Sequence, residues 1–291
     1  MAGRGCFLAS DRETMNIDDF LLALEGAFIG DVSEGVTADG RLTDLAREVP
    51  GFTTPSELAV LATAARLLPI DEVYLEVGAF KGRSICAAML DAPNRDFVAI
   101  ENFLEFGMLG QEARSELLTH VEQRGAGRAL RLIDGDCFDV LCRPGLLDKK
   151  IGVYFYDGAH TGLAHWLALA VVEPLLADEA LVLVDDASWP MVRQATDRYM
   201  AGRTGWEVLL DLQATQQDDP VWANGLLVLR FRRVGAVRPL SASVQLRRHF
   251  QVRVRGPATS LVWRALHRFP QLVPLAKRLV PRRSRSVGAE R

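Results

Sequence analysis

The chain has no apolar run long enough to span a bilayer. Even a stretch such as "LALAVVEPLLA" at 167–177 is broken by Glu173 and Pro174, and it falls well short of the roughly 20 residues a membrane helix requires. Cysteine is scarce. Cys6, Cys86, Cys137 and Cys142 stand apart, with no C-x-x-C and no histidine cluster at zinc spacing; this excludes a disulfide framework and a structural zinc site and fits a reducing cytoplasm. At the N-terminus an acid, Asp11, arrives before any apolar core of a signal peptide, so secretion is not expected. The dinucleotide fingerprint G-x-G-x-x-G is missing as well, and no internal repeat or low-complexity segment interrupts the middle of the chain.

What remains is the composition of a globular protein: 291 residues, 49% of them hydrophobic, enough for one main domain with appendages. The net charge of -3 conceals an asymmetry. From Arg232 onward there are 15 basic residues and one acid, against 19 basic and 36 acidic residues before it. The last 60 residues therefore form a different surface from the rest. Three segments follow: a cap or lid over residues 1–53, a main domain over 54–232 and a basic extension over 233–291.

In the first segment, "IDDFLLALEGAF" has a helical pattern. The second opens on "FTTPSELAVLATAARLLP", where Thr54 can cap, Pro55 suits the first helical position and Glu57 completes a capping box. Leu58, Leu61, Ala65 and Leu68 then share one apolar face, which predicts a helix. From residue 72 short apolar runs alternate with segments of helical length: "EVYLEVG", "DFVAIEN", "ALRLIDGD", "IGVYFYDG" and "ALVLVDDA". Such alternation predicts an α/β fold, a doubly wound parallel sheet covered by helices. "GWEVLLDLQ" and "GLLVLRFRR", joined by the turn-rich "ATQQDDPVWAN", add an antiparallel hairpin at one edge and bring the sheet to seven strands.

Ligands of doubly wound sheets sit beyond the carboxyl ends of the strands, so the residues standing there are the candidates. The first strand ends in "LEVGAFKGRS", where Gly78 and Gly82 permit close backbone approach and a helix N-terminus follows. The second ends in Glu101, placed to accept hydrogen bonds from ribose hydroxyls, and the third in Asp134 and Asp136. Asp157 closes the fourth strand; Asp185 and Asp186 close the fifth. A single aspartate here has a structural alternative, since Asp185 or Asp186 can cap the helix near Ser188 and Asp157 can shape a turn. Gathered together, the three acids need a partner, and a hard divalent cation supplies one. His160 lies three residues past Asp157 and suits general-base work near neutral pH; His165, farther into the next helix, reads as structural. Phe80, Phe103, Phe106 and Trp189 fall in loops near these ends, where they can form an apolar wall of a pocket or simply belong to the core.

In order and spacing, "YLEVGAFKGRS", "VAIEN", "GDCFDVL", "YFYDGAHTG" and "LVLVDDAS" resemble class I S-adenosylmethionine-dependent methyltransferases. The likeness spans roughly residues 55–232 and is strongest to the branch holding catechol O-methyltransferase and the macrolide-sugar O-methyltransferases. The resemblance implies a Rossmann-like methyltransferase fold. It also implies that Glu76, Gly78, Gly82 and Ser84 lie along the methionine part of the cofactor, that Glu101 binds ribose, and that Asp136 and Cys137 border adenine. Asp157, Asp185 and Asp186 fall where metal-using members hold Mg²⁺, and His160 where the base stands, a lysine in the catechol enzymes and a histidine in the sugar-modifying ones. A sugar or natural-product hydroxyl is the implied acceptor. Two departures stand out: a first motif less glycine-rich than in most class I enzymes, and Ala159 where many relatives carry a polar residue.

The rivals to methyl transfer are a same-fold metal-site relative with other chemistry, like the cephalosporin-hydroxylase group, and a non-catalytic scaffold that keeps the fold. In the basic extension, "TSLVWRALHRFPQLVPLAKRLVPRR" at 259–283 mixes apolar and basic residues as interfacial segments do, but Pro270, Pro274 and Pro281 prevent one long helix. Docking on the acidic remainder or on a second subunit of a homo-oligomer ranks first for it and a membrane surface second. Nucleic acid ranks last, since no RNA-binding motif accompanies the charge.

Overall fold

The computed structural model describes residues 14–104, 108–125, 127–237, 239–258 and 261. Phe106, Cys6 and nearly all of the segment 259–283 lie outside the described residues. Seven strands, β1 (Glu72–Val77), β2 (Asp96–Glu101), β3 (Leu130–Asp134), β4 (Lys150–Tyr156), β5 (Leu176–Val184), β6 (Trp206–Leu212) and β7 (Leu226–Arg232), form one sheet in the order β3-β2-β1-β4-β5-β7-β6. The first five are parallel; β7 is antiparallel to both β5 and β6, which is the edge hairpin expected from its turn-rich linker. Strand order reverses between β1 and β4, so the crevice at their carboxyl ends is where such sheets take ligands.

The helices are α1 (Ile17–Glu25), α2 (Gly40–Glu48), α3 (Pro55–Arg66), α4 (Arg83–Met89), α5 (Met108–Arg124), α6 (Cys137–Val140), α7 (Gly162–Val172), α8 (Pro190–Met200) and α9 (Ala242–Phe250). The capping box of α3 forms as its sequence requires: Thr54 Oγ1 accepts from the Glu57 N–H, and the Thr54 N–H donates to Glu57 Oε2 at 2.8 Å. Two apolar layers sandwich the sheet. One joins α1–α4 to the sheet through Phe20, Leu24, Leu58, Leu61, Tyr74 and Phe97; the other joins α6–α8 to it through Tyr154, Leu167, Val182 and Tyr199. From Met15 onward the segment expected as a cap is thus packed into the core, Met15, Phe20, Leu24 and Val49 being fully buried. No helix among the described residues is long and apolar enough to cross a membrane.

At its start the basic extension lies on the body of the chain. Arg248 donates to Asp139 at 3.1 Å, Arg247 stacks on the Trp166 ring at 4.7 Å, and Val244 enters the core. A turn of π-helix at Gln251–Arg255 follows, and a Cβ at Gly256 would stand 3.8 Å from Asp136 Oδ2.

At the opposite end of the sheet Glu72 carries a cost. It is 4% exposed, its Oε2 has no partner, and burial raises its carboxyl to about 8, with Asp71 and Asp178 adding to the rise. Gly152 leaves room for it, since a Cβ there would come 1.9 Å from Oε2 and displace the carboxylate. Because the folded value exceeds that of the unfolded chain, the native state binds the extra proton, and stability falls as pH rises from about 4.5 to about 8. Glu72→Gln removes this ionisation. It is expected to stabilise the protein by on the order of 3 kcal/mol at pH 8.5, with the gain vanishing near pH 4.5, in urea melts at the two pH values; an equal effect at both would refute the burial argument.

Candidate active site

The turn after β1 sits against the end of β4. Gly78 has φ +95°, and a Cβ there would lie 1.8 Å from the Asp157 carbonyl oxygen, so only glycine lets the two strand ends approach this closely. The Asp157 N–H reaches back to the Val77 carbonyl at 2.9 Å. Below the turn Glu76 is fully buried and accepts from Ser84 Oγ at 2.6 Å and Tyr74 Oη at 3.1 Å. Burial raises its carboxyl to about 8, against the lowering pull of those two bonds. Gly82, at φ +93°, is the N-cap of α4. These four sequence-predicted residues therefore form one unit.

Glu101, at the end of β2, accepts three backbone N–H bonds, from Phe80 at 3.1 Å, Asn102 at 2.8 Å and Phe103 at 3.1 Å. It ties the β2 end to the β1 turn. Asp136 caps α6 by accepting from the Phe138 N–H at 2.9 Å, and burial raises its carboxyl. Burial likewise pushes the Cys137 thiol well up, so it stays protonated. Three residues with left-handed backbone that are not glycine stand just beyond strand ends: Phe80 (φ 42°), Phe103 (φ 53°) and Asp186 (φ 56°). Strain of this kind collects at functional sites.

Asp157, His160 and Asp186 converge. One ligand-capable atom from each lies within 4.8 Å of the others; His160 Nε2 is 2.7 Å from Asp186 Oδ2 and 3.6 Å from Asp157 Oδ1. Burial alone would lower the imidazole, but Asp157 and Asp186 outweigh it and raise His160 to about 10, so here it stands as the acids' counter-charge. Asp185 is not one of the three. Its carboxyl hydrogen-bonds Asp157, is pushed well above the carboxylate range by burial and by the Asp157 charge, and leaves Oδ1 without a partner. Neither Asp185 nor Asp186 caps α8, whose N-cap is Trp189 with no side-chain bond. The Trp189 ring instead packs against His160 at 5.4 Å between centroids. His165 is buried edge-on against Tyr156 at 5.0 Å, and burial lowers it to about 3, as a neutral core residue.

Three contributors went unrecognised in the sequence. Glu57, read there only as a capping residue, is 1% exposed; burial raises it to about 8, and Asp157 and Asp186 add to the rise against its bonds from Thr54. Phe52, 77% exposed, stacks on Phe80 at 6.0 Å and 19°. The linker between β6 and β7 clamps the loop after β5: Ala187 and Ser188 donate to the Gly225 and Asn224 carbonyls, and Thr54 Oγ1 donates to the Val221 carbonyl at 2.6 Å. Only the capping-box spacing of Glu57 hinted at any of these.

The donor set suits a divalent cation. Two aspartates and an imidazole stand together, and Asp185 Oδ1 beside them is buried and unpartnered; oxygen donors of this kind favour a hard ion, with the imidazole admitting transition metals.

Residues 75–187 match the family model described as a methyltransferase domain, which contains every strand-end acid above. No curated protein matches the chain. Among solved structures, an O-methyltransferase from Bacillus cereus in complex with SAH superposes with a TM-score of 0.52 at 13% identity, covering 72% of this chain and 100% of that one. The O-methyltransferase TomG from Streptomyces achromogenes, involved in tomaymycin synthesis and solved with SAM, gives 0.51 at 17% identity over 75% and 97%. The sheet order and the glycine turn at the β1/β4 crevice agree with these likenesses: the chain has the fold of these O-methyltransferases, and residues 75–187 within it match a methyltransferase domain.

Proposed function

We propose that the protein is an O-methyltransferase that methylates a hydroxyl of a small molecule, a sugar or natural product, with the help of Mg²⁺. The observation that carries the proposal is the meeting of Asp157, His160 and Asp186 beside the Gly78 turn, at the point where strand order reverses. The two O-methyltransferases that share the fold were solved with SAH and SAM, which supports this cofactor for the crevice.

Glu76, Gly78, Gly82 and Ser84 would follow its methionine part, Glu101 its ribose, and Asp136 and Cys137 its adenine. When bound, S-adenosylmethionine supplies a sulfonium methyl that needs no further activation, so the protein's share is placement of the acceptor oxygen. Mg²⁺ held by Asp157 and Asp186, with Asp185 alongside, would supply Lewis acidity toward the acceptor hydroxyl. His160 would serve as the base once a cation replaces it as counter-charge to Asp157 and Asp186, which leaves its Nε2, now 2.7 Å from Asp186 Oδ2, neutral and able to take the acceptor's proton. Trp189 fixes that ring by packing on it, and Phe80 and Phe103, at the ends of β1 and β2, line the approach for the acceptor.

Calorimetric titration with S-adenosylmethionine, with and without Mg²⁺, tests the reading. Wild type binds; Glu101→Ala, having lost the ribose acceptor, binds at least about tenfold more weakly, a difference of about 1.4 kcal/mol. No binding by wild type under either condition overturns it.

A further inference from the structure

Glu57 belongs to the helix that precedes the matched domain, and its capping role uses only half of its carboxyl group. Oε2 accepts from the Thr54 N–H at 2.8 Å, with Thr54 Oγ1 3.2 Å away. Oε1 is buried with no partner. A glutamate is almost never fully buried unless paired, yet this one is 1% exposed.

Its surroundings explain neither the burial nor the free oxygen in structural terms. The Asp157 and Asp186 charges act on Glu57, and Glu57 in turn acts on Asp185; among the described residues no basic side chain forms an ion pair with it. Asp185 Oδ1 is buried and unpartnered in the same region. Two orphaned carboxylate oxygens are thus supplied by α3 and by the end of β5, on residues within electrostatic reach of the Asp157–His160–Asp186 group. Buried polar atoms without partners are rare and call for a bound species. Waters held on a cation would supply the missing partners, since Mg²⁺ keeps several of its waters when bound through one or two carboxylates. Glu57 stands outside the set whose atoms lie within 4.8 Å of one another, which suits hydrogen bonding to such a water rather than direct ligation.

We propose that Glu57 is an outer acid of the cation centre, holding the ion's water through Oε1 while Oε2 caps α3. The inference rests on the cation-assisted reading above, and it assigns α3 a positioning role in the site. The Thr54–Val221 bond and the clamp of residues 224–225 on Ala187 and Ser188 link the same helix start to the loop after β5, so the cap and the acids are held in one frame.

The test separates Glu57's two duties. Mn²⁺ binding is followed by electron paramagnetic resonance and Mg²⁺ binding by calorimetry, on full-length wild type, Glu57→Gln and Thr54→Ala. Loss of an outer-shell partner typically weakens metal affinity by about 10- to 100-fold, and that loss is expected for Glu57→Gln. Thr54→Ala, which damages the cap and keeps the carboxylate, should retain affinity within about threefold while lowering the melting temperature by more than Glu57→Gln does. S-adenosylmethionine affinity without metal should be unchanged in both variants. Equal metal affinity in wild type and Glu57→Gln overturns the inference and leaves the cation reading intact. Absence of metal binding to wild type overturns the cation reading itself, and a parallel loss in Thr54→Ala reduces Glu57 to a cap.

Discussion

Asp157→Asn will lower methyl transfer by roughly 10³-fold, about 4 kcal/mol in the barrier, while leaving S-adenosylmethionine affinity within about threefold of wild type. The separation follows from how Asp157 is held. Its backbone is fixed independently of its carboxylate, by the N–H bond to Val77 and by the close approach of Gly78 to its carbonyl, so the cofactor side of the crevice keeps its shape. The side chain is nearly isosteric after the change. What is lost is charge at the point where His160 and Asp185 converge on Asp157. One carboxylate fewer weakens the hold on a cation, and the amide no longer stabilises the imidazolium formed when His160 takes the acceptor's proton, so both the electrostatic and the acid–base contributions fall together. Initial rates on a responsive hydroxylated acceptor, measured across Mg²⁺ concentrations, give the result. Undiminished turnover would sink the metal role of Asp157.

Much of this site can be read from the sequence because strand ends announce themselves. Runs such as "IGVYFY" and "ALVLV" terminate in acids, and β-branched or aromatic residues flanked by glycine leave little doubt about where each strand stops. The α3 capping box is equally local, and it forms as its spacing requires. Other features depend on geometry that no local pattern encodes. Adjacent residues on a strand point to opposite faces, so whether Asp185 or Asp186 joins Asp157 turns on the backbone beyond β5, which becomes left-handed at Asp186 (φ 56°). Aspartate tolerates that conformation better than most residues, but both Asp185 and Asp186 are aspartates, so the sequence does not say which of the two adopts it. Helix α2 was not anticipated either: it begins at a glycine, and it is held by the burial of Leu42 and Leu45 against the core more than by propensity. Glu57 was hidden for the opposite reason, its local role being complete enough to account for it without a second one.

Gly78→Ala is expected to cost at least about 3 kcal/mol, lowering the melting temperature by roughly 10 °C and removing cofactor binding. Two effects add. A Cβ at this position meets the Asp157 carbonyl oxygen at 1.8 Å and its carbon at 2.6 Å, both backbone atoms that cannot swing aside, and φ +95° is a conformation that side chains rarely adopt. Relief requires the β1 turn and the β4 end to separate, which moves Asp157 away from Asp186 and opens the crevice at the point where strand order reverses. Gly202→Ala isolates the backbone component, since that residue has φ +73° with nothing within 4 Å of its Cβ position; it should cost only about 1 kcal/mol. Thermal melts of the two variants therefore weigh steric contact against conformational strain, and titration with S-adenosylmethionine reports whether the crevice has opened. If Gly78→Ala melted no lower than Gly202→Ala and still bound the cofactor, the β1 turn would not be pressed against Asp157, and the convergence on which the site depends would have to be abandoned.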